Sequence, residues 1–305
     1  MARRCAITSA KRSITSGPAR TPKSAVPLPI HSKLTIMTAR MTFTAGALRG
    51  AVFISAALLA ASVTAFGEHR MISLGDRRLS MDCDGKEDSA TVVLMAGGGR
   101  TAKDWARVQP EVSKFARVCS YDRAGFGESD MAASKMQSVD EVVNDLNRLL
   151  EASHEKRPFI LVGHSVAGIY ARSFVTKFPR EVAGLVFVDS AHEEQALRFH
   201  ELDPNWQTLD EESAQWGLFV KPGQRLEWRT ELPLIVLGHG RPIQGPKKVT
   251  EATAVGRERI WRELQEDLTK RSTHGQFRVA EQSEHNIHLD QPELVIQAIR
   301  DVLHK

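Results

Sequence analysis

Phe159-Ile-Leu-Val-Gly-His-Ser-Val-Ala-Gly168 begins as a continuous apolar run, narrows to Gly163-His164-Ser165-Val166-Ala167-Gly168, and passes at once into a helical pattern. Such a sequence marks a strand-to-helix turn too tight for bulky neighbours, which lifts a serine hydroxyl clear of a sheet as a nucleophile. The strict pattern is G-x-S-x-G. Here its last position is Ala167, with Gly168 one place later. Alanine is the smallest side chain after glycine, so the close approach of helix to strand is expected to survive. The motif alone is weak evidence, because a serine among small residues also caps helices. Its weight depends on what surrounds it.

Outward from this turn, apolar runs alternate with helical patterns. Strands are expected at 70–74, 78–84, 91–96, 117–121, 158–162, 184–188, 233–238 and 276–280. Several are uninterrupted apolar stretches, such as Thr91-Val-Val-Leu-Met95 and Leu185-Val-Phe-Val188, which suits strands buried on both faces. Helices are expected at 140–150, 166–178, 250–270 and from Pro292 to about Leu303. The first has apolar residues at helical spacing behind a capping pair, Ser138 and Glu141. The alternation predicts an α/β fold with a mostly parallel sheet of eight strands and helices on both faces. Residues 190–232 break the rhythm and hold Phe199, Trp206, Trp216, Phe219 and Trp228. A long aromatic connection of this kind predicts a small cap after the sixth strand, fit to cover an apolar substrate.

The first 67 residues have a different character. They contain no Asp or Glu and nine Lys or Arg, and end in an uncharged, largely apolar stretch at 50–67 with a small-x-small pattern, Val63-Thr64-Ala65. This predicts a cleaved secretory signal within a basic leader at 1–65, with the folded domain at 66–305. Met37 or Met41 would be a more usual start for such a signal, which makes 1–36 an upstream extension or the product of a misplaced start. An export reading places the mature protein in the periplasm or medium; the alternatives are a transit peptide and an uncleaved anchor at 50–67, the only expected membrane contact. Without the leader, 32 basic residues face 37 acidic ones, a net charge of −5. No basic excess remains to bind nucleic acid. Of three cysteines, Cys5 falls in the leader, leaving Cys83 and Cys119 as a disulfide or as two buried thiols.

The strand at 91–96 runs into Gly97-Gly98-Gly99-Arg100-Thr101-Ala102. Gly97-x-Gly99-x-x-Ala102 fits a dinucleotide fingerprint, with Asp122 twenty residues on at the spacing of a ribose-binding carboxylate. That reading leaves Ser165 and His285 without roles. In the competing reading the glycines form an oxyanion loop, in which the N–H groups of Gly98 and Val166 stabilise the charge that builds on an acyl oxygen.

At this point the chain resembles the α/β-hydrolase family over nearly all of 69–305. Four segments carry the resemblance in order: Ala96-Gly97-Gly98-Gly99 with Trp105; Tyr121-Asp-Arg-Ala-Gly-Phe-Gly-Glu-Ser129; the turn at Ser165; and Ser283-Glu-His285, with Pro292 seven residues on. Leu185-Val-Phe-Val-Asp-Ser-Ala-His-Glu-Glu-Gln195 is similar to exported members. The resemblance implies a serine hydrolase that cleaves esters or related acyl compounds through an acyl-enzyme, without cofactor or metal. It implies Ser165 as nucleophile and His285 as general base, with His288 as the alternative base and His164 as a structural neighbour. A zinc site on His285 and His288 lacks a third ligand.

The chain departs from the family at two places. The loop 233–242, where the acid usually stands, has no carboxylate. Asp189, at the end of the sixth strand, is the substitute, ahead of Glu193 and Glu194. The family's His-Gly before the oxyanion donor is Ala96-Gly97, which removes a steadying side-chain bond. Both departures leave a non-catalytic binding protein as the alternative. The resemblance also makes the second and fourth strands antiparallel neighbours, which implies a Cys83–Cys119 disulfide, and gives Asp122 and Arg123 a structural role in the turn after the fourth strand.

Overall fold

The computed structural model describes residues 67–86, 90–132, 137–206, 228, 230–243 and 249–305. Eight strands form one sheet: β1 (Glu68–Ser73), β2 (Arg78–Asp84), β3 (Thr91–Met95), β4 (Arg117–Tyr121), β5 (Phe159–His164), β6 (Val182–Val188), β7 (Leu234–His239) and β8 (Gly275–Ala280). All eight expected strands are present. Across the sheet they lie in the order β1-β2-β4-β3-β5-β6-β7-β8. β2 is antiparallel to β1 and β4, and the other neighbours are parallel. The helices are α1 (Gln109–Val112), α2 (Val139–Ala152), α3 (Ala167–Lys177), α4 (Gln195–Leu202), α5 (Glu251–Thr269), α6 (Ile287–Asp290) and α7 (Pro292–Leu303).

Alternate residues of the central strands point to opposite faces, and each face is covered. On one face Val93, Leu161, Phe187 and Val236 pack with Leu146 of α2 and Phe174 of α3. On the other, Val92, Val162, Val186 and Ile235 pack with Trp105, Val112 of α1 and Ile299 of α7. This two-sided burial is why β3, β5 and β7 read as unbroken apolar runs. Local signals set the helix ends. Ser138 accepts from the Glu141 N–H at 3.2 Å while the Glu141 carboxylate accepts from the Ser138 N–H at 2.7 Å, a complete capping box. Pro292 opens α7, where a missing N–H costs nothing. Cys83 and Cys119 are register partners on β2 and β4 and are joined by a disulfide.

The basic leader at 1–65 lies outside the described residues, as does most of the expected cap, including Trp216 and Phe219. The described part of the connection is α4 with Phe199 and Trp206, which packs on Ile260, Trp261 and Leu264 of α5 as a small separate apolar cluster. Trp228 belongs to the main core instead, with its ring 6.0 Å from that of Phe187. Among the described residues no helix is long and apolar enough to cross a membrane.

Candidate active site

The serine turn is built by steric exclusion. Ser165 stands between β5 and α3 with φ = +53°, a left-handed conformation uncommon for a residue with a side chain. A Cβ on Gly163 would lie 2.8 Å from the Gly168 nitrogen and 2.9 Å from the Ala167 carbonyl, so glycine is required there. Ala167 itself is accommodated. The demand that the motif assigns to that place falls on Gly168, where a Cβ would overlap the Ser190 side chain at 2.3–2.4 Å. Ser190 is buried and donates its hydroxyl to the Gly163 carbonyl at 2.8 Å, tying the end of β6 beneath the turn. The Ser165 N–H reaches the Val188 carbonyl at 3.1 Å, and its carbonyl accepts from Ala191 at 2.9 Å.

The glycine loop lies directly against this turn. A Cβ on Gly97 would fall 2.7 Å from His164 Nδ1 and 3.3 Å from Ser165 Cβ. Among the described residues, neither the Gly98 nor the Val166 backbone N–H donates to another backbone group. Arg123 anchors the loop by donating to the Ala96 carbonyl at 2.5 Å and to the Gly97 carbonyl at 2.8 Å. A side chain from the turn after β4 thus steadies the loop that Ala96 cannot. Asp122 is 5% exposed and accepts from the backbone N–H of Ala102 at 2.7 Å and of Glu128 at 2.9 Å. It holds the two loops together, which removes the ribose-binding role that the fingerprint reading needs.

His285 Nδ1 donates to Asp189 Oδ2 at 2.6 Å, which leaves Nε2 as its second ring nitrogen, not engaged by the acid. His285 is brought beside the turn through its own carbonyl, which accepts from His164 Nε2 at 3.1 Å. Asp189 follows β6 with φ = +44°, so two adjacent parallel strands each end in a non-glycine residue of positive φ. The carboxylate is fully buried. Besides His285 it accepts from His239 Nδ1 at 2.8–2.9 Å, the His239 N–H at 3.1 Å and Trp261 Nε1 at 2.8 Å. Burial alone would raise the Asp189 carboxyl, but the bonds from His239 and His285 outweigh it and hold it well below the usual carboxylate range.

His239 and Trp261 carry no motif, and the sequence reading did not find them. A clue existed in Gly238-His239-Gly240, which ends β7 at the place where an acid is expected to follow. Glu193 is committed elsewhere, paired with Arg271 at 2.5 Å and Arg172 at 3.4 Å, and Glu194 stands at the start of α4. His288 is fully buried, with ring centroids 4.8 Å from Trp105 and 4.3 Å from His164. Burial, with Asp104 opposing, lowers His288; burial, reinforced by His288 and His285, pushes His164 well below an ordinary imidazole. Asp104, His164 and His288 bring ligand atoms within 4.8 Å of one another. Asp104 is bonded to Arg100 and His164 Nε2 to the His285 carbonyl, while among the described residues His164 Nδ1 and both ring nitrogens of His288 are buried without a hydrogen-bond partner.

Comparison with known proteins fits this geometry. The model of the alpha/beta hydrolase family matches residues 92–298, from β3 through most of α7. The chain belongs to the alpha/beta hydrolase family. Protein YqjL of Bacillus subtilis is 29% identical over 222 residues, covering 70% of this chain and 83% of that protein. The 2-hydroxy-6-oxo-2,4-heptadienoate hydrolase of Pseudomonas putida is 31% identical over 120 residues, 39% of this chain and 43% of that protein. A thermophilic esterase from Thermogutta terrifontis superposes with a TM-score of 0.55 at 20% identity, over 78% of this chain and 98% of that one. A bromoperoxidase from Bacillus anthracis gives 0.55 at 15% identity, over 78% and 100%. The structural likenesses establish the fold, and the family and its relatives support a hydrolase.

Proposed function

We propose that this protein is a serine hydrolase acting on esters or related acyl compounds, with Ser165, His285 and Asp189 as its triad. The observation that carries the reading is the 2.6 Å bond from His285 Nδ1 to the buried Asp189, beside a serine held at positive φ. His285 Nε2 takes the Ser165 proton as Oγ attacks the acyl carbonyl. The oxyanion that forms is met by the N–H groups of Gly98 and Val166, each worth roughly 3 kcal/mol to the transition state. Collapse of the tetrahedral adduct expels the alcohol, which leaves with the proton from His285. Water, deprotonated by the same imidazole, then hydrolyses the acyl-enzyme and restores Ser165.

The non-catalytic reading was motivated by the loop 233–242, which has no carboxylate, and by Ala96-Gly97; the contact of Asp189 with His285 and the bonds from Arg123 to the Ala96 and Gly97 carbonyls weigh against it. Trp261, with its ring 5.9 Å from that of His285 and backed by the apolar cluster of Phe199 and Trp206, favours a substrate with an apolar acyl or alcohol part. The basic leader, the apolar run at 50–67 and the cysteine pair favour an exported protein. A fluorophosphonate probe tests the central claim. Labelling is expected at Ser165, abolished in Ser165→Ala and reduced by at least about 10³-fold in His285→Ala. Folded protein that the probe does not label would overturn the assignment.

A further inference from the structure

Asp189 is served by two imidazoles, and the second is clamped from both sides. His239 Nδ1 faces Asp189 at 2.8–2.9 Å, while its Nε2 faces the Glu258 carboxylate at 2.7 Å. Each ring nitrogen meets an acceptor that has no proton to offer when ionised, so both must donate, and only an imidazolium carries two N–H groups. The charged groups facing His239 are Asp189 from the end of β6 and Glu258 from α5, with His285 across Asp189. Trp261 stacks on the ring at 6.0 Å between centroids. Burial would lower His239, but the bonds to Asp189 and Glu258 prevail and push it up to about 9.

This cation stands at the end of β7, next to the loop where the family resemblance led one to expect the acid. Its contacts fix the acid that stands elsewhere. Asp189 Oδ1 receives the His239 N–H and Trp261 Nε1, and His239 Nδ1 bridges both oxygens, so the carboxylate cannot rotate and keeps Oδ2 toward His285. The charge matters as much as the geometry. A bare buried carboxylate would hold the His285 imidazolium strongly, which helps it form but hinders return of the proton to the leaving group. With His239 beside it, Asp189 orients His285 while offering it less net negative charge.

We propose that His239, held protonated between Asp189 and Glu258, is a positioning residue that orients the acid and sets the lower pH limit of turnover. The proposal rests on the serine-hydrolase reading. If His239 loses its charge, Asp189 pulls harder on a proton at His285, and the working neutral base is reached only at higher pH. Two variants separate charge from geometry. Glu258→Gln can still accept from the Ile243 N–H, and its amide can donate to a neutral His239 Nε2, so the bonds survive while the charge is relaxed. His239→Gln keeps a donor toward Asp189 but removes the cation.

The experiment compares pH profiles of kcat/KM on a short-chain aryl ester with NMR titration of the histidine rings in the full-length protein. In the parent, the His239 ring should show both nitrogens protonated at pH 7. In His239→Gln the acid limb should move up by about one pH unit, and in Glu258→Gln in the same direction by less. The midpoint of the His285 ring signals should move with it. Profiles and ring titrations that overlay the parent in both folded variants, or a neutral His239 at pH 7, would overturn the proposal. Loss of the serine-hydrolase reading would show instead as absent turnover and probe labelling in the parent, and the ring titrations would then decide the charge of His239 by themselves.

Discussion

The two halves of the site are made in opposite ways. The nucleophile side is local: Gly163, Ser165 and Gly168 lie within six residues, and their positions follow from how tightly α3 folds back on β5. The acid side is assembled from afar. Asp189, just past β6, meets His239 at the end of β7, Trp261 within α5 and His285 beyond β8, which lie 50 to 96 residues from it along the chain. The halves also differ in charge. His164 and His288, beside the turn, are buried where the neutral imidazole is favoured, whereas His239 is held as a cation between two carboxylates. A steric constraint leaves a pattern of small residues in the sequence, while a hydrogen-bond network leaves only scattered polar residues that many other folds would expose.

The largest effect should come from breaking the acid side while leaving its shape. Asp189→Asn keeps the volume, but its amide can present an N–H where His285 needs an acceptor, so the imidazole loses its working tautomer. A fall in kcat of about 10⁴-fold is expected, with the serine still open to slow probe labelling. A loss below tenfold would move the acid to another residue.

Breaking the local side should cost stability first. Gly163→Ala puts a methyl group 2.8–2.9 Å from the backbone of Ala167 and Gly168, which can yield only by moving α3 off β5. A destabilisation of about 2–4 kcal/mol is expected in urea titration, and activity should fall with it because the serine moves too. An unchanged midpoint would mean that the turn is looser than its geometry.

The smallest effect sharpens the contrast in charge. His164 and His288 are lowered in the folded protein, so below the ordinary imidazole value of about 6.5 the unfolded chain binds protons that the folded one refuses, and stability falls as pH drops. His239 is raised, so its contribution is fully present below that value and is lost as pH rises through about 9. Melting temperature should therefore decline on both sides of neutrality. His288→Leu should remove part of the acid decline while changing stability at pH 8 by less than about 1.5 kcal/mol, since its ring is buried chiefly by packing. An undiminished acid decline would assign it to other groups.

Much of the fold was legible in advance. Strands covered on both faces must be continuously apolar, and β3, β5, β6 and β7 have that pattern; Ser138 with Glu141 announced α2 because a capping box is a four-residue interaction. The connection after β6 was less legible. Its tryptophans suggested a cap, yet Trp228 lies in the core, because an aromatic residue reads alike wherever it is buried.

The sequence by itself determined the fold class, the serine turn and its glycines, and the histidine near the end of the chain. These depend on backbone sterics and on hydrophobic periodicity, which act over a few residues. Only the tertiary structure decided that Asp189 reaches His285, that Arg123 steadies the glycine loop in place of a side chain at Ala96, and that His239 and Glu258 stand behind the acid. Those bonds join elements whose separation along the chain carries no information about their separation in space. Parallel strands ending at one edge of a sheet bring them together, and burial then makes each hydrogen bond obligatory.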